Sequence, residues 1–328
     1  MNKCKILSQK YHKVMIGILL AVLLVFPLMG FSQYVYRIAV VSVLYAILAM
    51  SLNLIAGVAG QISLGHIAFY GIGAYTSALL CVNFGISVWV GILAAFVVSM
   101  LFGLLIAIPT LKLSGGYLAI LTMSFAEIIR LILLNWTSVT RGPMGILNIP
   151  KPSLFGYTIK SSGAFLYLVL AVAIIVYIGL HNLIHSRFGR NLQALRDDEI
   201  SSESMGINVY RYKVIAFVIS TGIAGVAGAL FASYMEFIDP SSFISDESTV
   251  ILSMVVLGGM GNMNGSIIAA ALLTILPEAL RSFSDYRMLV YGVVLVAMML
   301  LKITDWAAVK RALKTALDFK TGGKENGT

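Results

Sequence analysis

Residues 37–66 read RIAVVSVLYAILAMSLNLIAGVAGQISLGH. Residues 38–56 carry no charge, and as an α-helix 37–56 would run about 30 Å, the thickness of a bilayer's hydrocarbon core. The next stretch, 57–66, is Gly-Val-Ala-Gly-Gln-Ile-Ser-Leu-Gly-His, too polar and too rich in glycine to continue that helix against lipid. A spanning helix followed by a break is therefore the local reading.

The rest of the chain repeats the first half of that pattern. Of 328 residues, 59% are hydrophobic and 11% charged, against roughly 45–50% and 25% in soluble domains; the mean hydropathy is +0.94. A soluble chain of this size would need far more charge to cover its surface. Apolar runs predict an all-α integral membrane protein of about ten spans, at 14–31, 37–56, 59–82, 88–108, 116–136, 164–184, 213–235, 248–264, 266–281 and 286–304. Residues 1–13 form a basic N-terminal segment, 14–304 the transmembrane domain and 305–328 a basic tail. The run Val14–Phe31 reads as a retained first helix, because Gly30-Phe31-Ser32 is a poor cleavage site for a secretory signal.

The net charge of +9 does not indicate nucleic acid. Lys and Arg gather at the termini and in the loop 185–212, with no compact basic domain to hold a duplex. Basic flanks of this kind orient helices and meet anionic lipid, so both termini and that loop are expected in the cytosol of a cytoplasmic membrane. Cys4 and Cys81 suggest neither a disulfide framework nor a metal site.

Three interruptions are candidates for a transport path or its hinges. The first holds Asn53, Gly57, Gly60, Gln61, Ser63, Gly65 and His66, with Tyr70 just beyond; the second is Gly115-Gly116; the third holds Gly258, Gly259, Gly261 and Asn262. Short turns and close helix packing would use the same glycines, and a lone His beside such a break reads as hydrogen-bonded. Glu127 and Arg130 share a helical face three residues apart and read as a structural ion pair near the outer end of their span; Glu278 and Arg281 repeat the spacing. The outer segment 137–163, with Pro143, Pro150 and Pro152, could meet an external partner or merely connect.

The cytosolic loop is expected to form two short helices. Phe188, Leu192 and Leu195 fall on one stripe beside Arg190 and Arg196; Asp198 is placed to cap a second helix, with Glu199 in its first turn and Gly206 after its end. The mixed charges, with Asp197 and Glu203 facing the arginines, suit docking on a cytosolic protein better than on anionic lipid. The chain has no Gly-x(4)-Gly-Lys-Ser/Thr phosphate loop, zinc-protease motif or nucleophile elbow, so it reads as no enzyme and binds no cofactor of its own.

Three blocks, 51–75, 189–206 and 256–262, resemble the permease subunits of branched-chain amino acid importers in the ABC class, the second block favouring the LivM type. With Tyr117–Trp136 the likeness covers most of 35–305. The resemblance implies an importer with a second, LivH-type permease, two ATPase subunits that use ATP and Mg, and an external substrate-binding protein. It makes Gly189, Arg190, Leu192, Leu195, Arg196, Asp197, Asp198, Glu199, Glu203 and Gly206 the segment that couples to the ATPase. Ser204 and Met205 depart from the alanines of the general Glu-Ala-Ala-x(3)-Gly pattern, and Gly206 lies too close. Permeases for urea or short amides look similar, and a lone ion-coupled carrier or an intramembrane enzyme are the readings from other classes.

Overall fold

The computed structural model describes residues 32–110, 116–154, 157–159 and 161–279, with the isolated positions 292 and 296. The expected spans 14–31 and 286–304, with Gly115 and Arg281, lie outside them. The chain divides into two compact units, 1–275 and 276–328, and the architecture below is that of the first.

The helices are α1 Gln33–Asn53, α2 His66–Phe84, α3 Val88–Thr110, α4 Gly116–Asn135, α5 Ser162–His185, α6 Arg187–Asp197, α7 Glu199–Ser204, α8 Val209–Met235, α9 Ser245–Gly258 and α10 Met263–Ala279. Among the described residues six are long and apolar enough to cross a membrane: α1 with its π-helical extension Leu54–Val58, then α2, α3, α4, α5 and α8. Two boundaries differ from expectation for one reason, that glycine and polar residues cannot propagate a helix. The second interior span begins at His66, because 59–65 is irregular rather than helical. The span expected at 248–264 is a helix of only 14 residues that starts at Ser245 and stops at Gly258.

The core is the mutual packing of α2, α3 and α8. In lipid the hydrophobic effect gives no drive between helices, so close approach through small residues takes over. A Cβ on Gly73 would overlap the Gly225 backbone, and one on Gly228 would overlap the Tyr70 carbonyl, so α2 and α8 touch backbone to backbone. Phe69 fills the remaining space against Phe125 and Phe217, with ring centroids 5.5 and 5.8 Å away.

At the opposite end from the loop 185–212 two short antiparallel ladders order the connections. β1 Ile146–Leu147 pairs with β4 Phe237–Ile238, joining the loop after α4 to the link between α8 and α9. β2 Ser153–Leu154 pairs with β3 Tyr157–Thr158, and Trp89 Nε1 donates to the Ser153 carbonyl at 2.7 Å. A hollow of about 680 Å³ opens at this end, lined by Arg37, Lys151, Tyr234 and Glu236 among others; Lys151 and Glu236 pair across it at 2.7 Å.

Candidate functional site

Two of the three interruptions meet at one point. The α1 helix loosens into the π-turn Leu54–Val58, and the chain then passes through Gly60 in the left-handed region, at φ +72°. After α9, Gly259 and Gly261 take φ of +102° and +83° before Asn262 caps α10, its Oδ1 accepting from Gly265 N at 3.2 Å. Asn53 joins the two breaks: the Gly261 N–H donates to its Oδ1 at 2.8 Å across 208 residues of sequence. Gly57 has no room for a side chain, since a Cβ there would overlap Asn53 Oδ1 and Gly261 N.

The loop helix α6 completes the junction. Ser186 caps it, its hydroxyl accepting from Phe188 N and Gly189 N, and Gly189 lies so close to Ile184 that a Cβ would overlap its backbone. Leu192 and Leu195 are buried in this chain, and Phe188 stacks on Tyr212 of α8 with centroids 5.2 Å apart. Leu192 and Leu195 thus anchor α6 to the bundle, because an apolar stripe beside a packed core finds cover there first. Anchored this way, α6 turns Arg196 onto the breaks. Its Nη1 donates to the Gly57 carbonyl at 2.8 Å, an acceptor the π-turn leaves free, and lies against Gly261. Its Nη2 pairs with Asp197 at 3.1 Å. A cavity of about 220 Å³ between Gly60, Gln61, Leu118, Arg196 and Lys213 separates this clasp from α4 and α8.

The second short helix of the loop forms as expected. Asp198 accepts from Ser201 N at 2.9 Å, and Gly206, at φ +84°, closes α7 by donating to the Glu203 carbonyl at 2.9 Å. Glu199 pairs with Lys213, whose side chain is almost fully buried, tying α7 to the base of α8. Arg190 and Glu203 are exposed, and so are Ile200 and Met205, at 80% and 83%. These two apolar residues on the outward surface were missed in the sequence; the signal was there, since neither falls on the Phe188 stripe.

The irregular segment climbs from this junction into the bundle. Leu64 N donates to Thr122 Oγ1 at 3.0 Å, six residues into α4 and so roughly 9 Å above its start. Ile67 N donates to Ser248 Oγ at 3.2 Å, so two neighbouring helices satisfy backbone groups at the start of α2. A Cβ on Gly65 would crowd the Thr122 carbonyl at 2.6 Å. Ser51 Oγ donates to the Leu48 carbonyl at 2.8 Å, so its 2.7 Å contact with His66 Nε2 has the imidazole N–H as donor. Ser63 is buried and accepts weakly from Gly65 N, and Tyr70 sits in an aromatic cluster with Phe231 and Phe243, 5.3 and 5.7 Å away. Asn53 Nδ2, both amide atoms of Gln61 and His66 Nδ1 are sealed from water and pair with nothing among the described residues. Irregular backbone is tolerated at this depth because protein buries it; with only Gly60 and Ile62 exposed between 53 and 75, the segment has the surroundings of a hinge rather than of a pore wall.

The remaining candidates fall elsewhere. Gly116 begins α4 with open space around it, and Gly258 lets α9 cross Gly265 of α10 at backbone contact. Glu127 and Arg130 pair as expected, Arg130 Nε donating to Glu127 Oε1 at 3.0 Å. Glu127 lies eleven residues after Gly116 and Arg130 five before Asn135, so the pair occupies the second half of α4. Ser245, the first residue of α9, donates to Glu127 Oε2 at 3.4 Å. No group of three or more potential metal ligands occurs among the described residues.

Six helices of crossing length among the described residues, interruptions bound to one another and a short loop helix clasping both define a polytopic membrane permease. The chain belongs to the branched-chain amino acid transport system permease component family, whose model matches residues 34–300. It is 40% identical to the high-affinity branched-chain amino acid transport system permease protein LivM of Salmonella typhimurium over 312 residues, which is 88% of this chain and 73% of that one. The Escherichia coli LivM permease is 39% identical over the same shares. The LivH permease of Escherichia coli is 25% identical over 296 residues, 84% of this chain and 94% of the relative. No solved structure matches.

Proposed function

We propose that this chain is the LivM-type permease of an ATP-driven importer for branched-chain amino acids in the cytoplasmic membrane, with about ten spans and both termini in the cytosol. The single observation that carries the mechanism is the Arg196 clasp, which bonds a cytosolic helix to the carbonyl of Gly57 and sets it against Gly261. ATP and Mg belong to two partner ATPase subunits; a LivH-type permease and an external binding protein complete the assembly. Closure of the ATPase pair pushes on residues 187–206 through their outward surface, where Arg190, Glu203, Ile200 and Met205 stand clear of the bundle. Because α6 is anchored by Leu192 and Leu195, it moves as a lever rather than sliding, and Arg196 passes the displacement to both breaks together. The buried, glycine-rich segments 57–65 and 259–262 then absorb the change in backbone angle as hinges.

The test is reconstitution with the neighbouring permease, ATPases and binding protein in vesicles. Leucine uptake that requires ATP and every component is the expected result. Ion-driven uptake by this chain alone would overturn the assignment, and an assembled complex that moves urea or short amides but no leucine would reassign the substrate.

A further inference from the structure

The sequence leaves Glu247 just outside a span expected at 248–264, but in the structure α9 starts inside the bundle. Its first residue, Ser245, bonds Glu127 in the second half of α4, and Tyr45 of α1 donates its hydroxyl to Glu247 Oε2 at 2.7 Å. Tyr45 is the thirteenth of the 26 residues in the crossing Gln33–Val58, the middle of the span. The same depth follows along α9: Glu247 lies eleven residues before Gly258, about 16 Å from the junction of the breaks, against a hydrocarbon core about 30 Å thick.

A charge at that depth needs a counter-charge, because lipid cannot solvate it. Glu127 has Arg130. Glu247, and Asp246 beside it in the first turn, pair with no cation among the described residues. The N-terminus of α9 supplies about half a positive charge, which leaves more than one negative charge without compensation. Hydrogen-bonding capacity is left over as well. Glu247 Oε1 accepts from nothing among the described residues, where Oε2 has Tyr45. Tyr70 of α2 is 4% exposed and within electrostatic range of Glu247 and Tyr45. Phe231 and Phe243 hold its ring, yet its hydroxyl has no hydrogen-bond partner among the described residues. Glu247 and Tyr45 are half-buried, so the carboxylate can be reached.

We propose that Glu247, braced by Tyr45 and flanked by Tyr70, receives the ammonium group of the amino acid in transit. The inference rests on the reading of this chain as an amino acid permease and names the recognition point within it. An ammonium brings one positive charge and three donors. Glu247 Oε1 and the Tyr70 hydroxyl are two free acceptors for them, and the aromatic cluster around Tyr70 gives an aliphatic body an apolar wall. The hinge segments offer no such contact, since they are buried and carry no charge between Asn53 and His66.

The experiment uses the full chain assembled with its partner permease and ATPases in vesicles. Dicyclohexylcarbodiimide, an apolar reagent for carboxyl groups within membranes, is expected to label Glu247, read as a mass shift of its peptide. Leucine and isopentylamine are each expected to cut that labelling several-fold, and isocaproate, which lacks the ammonium, to leave it unchanged. Labelling of Glu127 is expected to respond to none of them. Equal protection by isocaproate would overturn the proposal, and so would equal protection by sodium against choline, which would make this an inorganic-cation site. No labelling of the ligand-free complex would also overturn it, since the carboxylate would then have a partner within the assembly. With binding protein added, Glu247→Gln is expected to lower leucine uptake several-fold while ATP hydrolysis continues, and Glu247→Asp to keep part of the uptake; full uptake in Glu247→Gln would remove the role. The labelling is read on the native chain, so a variant that fails to fold leaves it decisive. Leucine uptake by the native complex is measured alongside: uptake without protection sinks this inference alone, whereas a complex that moves no leucine fails the permease reading itself.

Discussion

Arg196 is exposed, yet its guanidinium reaches the Gly57 carbonyl 139 residues away in sequence. A hydrogen bond to a charged group contributes about 1.5–3 kcal/mol net, of the size that couples two sites by roughly tenfold or more. Arg196→Ala is therefore expected to lower ATP-dependent leucine uptake about tenfold while ATP hydrolysis continues. Arg196→Lys is expected to restore little, since a point charge cannot bond the carbonyl and Asp197 in one plane. Uptake and ATP use that stay in proportion in both variants would remove Arg196 from the coupling path. Asn53→Ala tests the same junction from inside: it leaves the Gly261 N–H unpaired, at a cost of about 1–3 kcal/mol. A lower thermal midpoint of the purified chain is the expected reading, and an unchanged midpoint would mean that water or relaxation serves Gly261 instead. Glycine content marked 57–66 and 257–266 as breaks in the sequence, but their meeting through Asn53 was not legible there. Long-range pairing of a side-chain amide with one backbone N–H leaves no periodicity to read.

At the scale of elements, α6 and α7 were legible because their caps are local chemistry. Asp198 and Gly206 act within three residues of themselves, so sequence alone locates the ends of α7, whereas the Ser186 cap of α6 emerged only in the structure. Which face of α6 looks outward was not legible, because Phe188, Leu192 and Leu195 could cover a partner or their own bundle, and only the position of α8 decides. The ATPase contact proposed above therefore rests on Ile200, Met205, Arg190 and Glu203, which are exposed. Ile200→Ser with Met205→Ser is expected to weaken co-purification of the ATPase several-fold and leave the fold unchanged, whereas Leu192→Ser is expected to lower expression by breaking the anchor. The reverse pattern, with Leu192→Ser folded but unable to hold the ATPase, would restore the stripe as the docking surface. The Glu199–Lys213 pair makes a separate point about α7. Removing the carboxylate by Glu199→Gln leaves a nearly buried ammonium without its partner, so hydrogen exchange across 199–206 is expected to quicken. Unaltered exchange would show that the Asp198 cap alone holds this helix.

For the whole molecule, the apolar runs made the membrane class plain, and six of the ten expected spans are helices of crossing length among the described residues, since a length near 20 residues is set by the bilayer rather than by any partner. How those helices pack was not legible, because thirty glycines offer too many places for close approach. The structure selects among them and gives opposite signs for the same substitution. At Gly225 a Cβ would overlap Ser99 of α3 and approach the Ala95 carbonyl at 2.7 Å, and the facing Gly73 leaves no slack on the α2 side. Gly225→Ala must therefore push apart three helices that pack without voids, and overpacking of this kind costs about 1–3 kcal/mol. Gly179 lies in the exposed interior of α5 with nothing within 4 Å, so Gly179→Ala meets no neighbour and gains about 0.5–1 kcal/mol from the better helix propensity of alanine. Thermal unfolding of the two variants in one detergent should move the midpoint down for Gly225→Ala and slightly up for Gly179→Ala. If both move the same way, the stability of this bundle follows helix propensity rather than the α2–α3–α8 seam, and the core would have to be sought elsewhere in the chain.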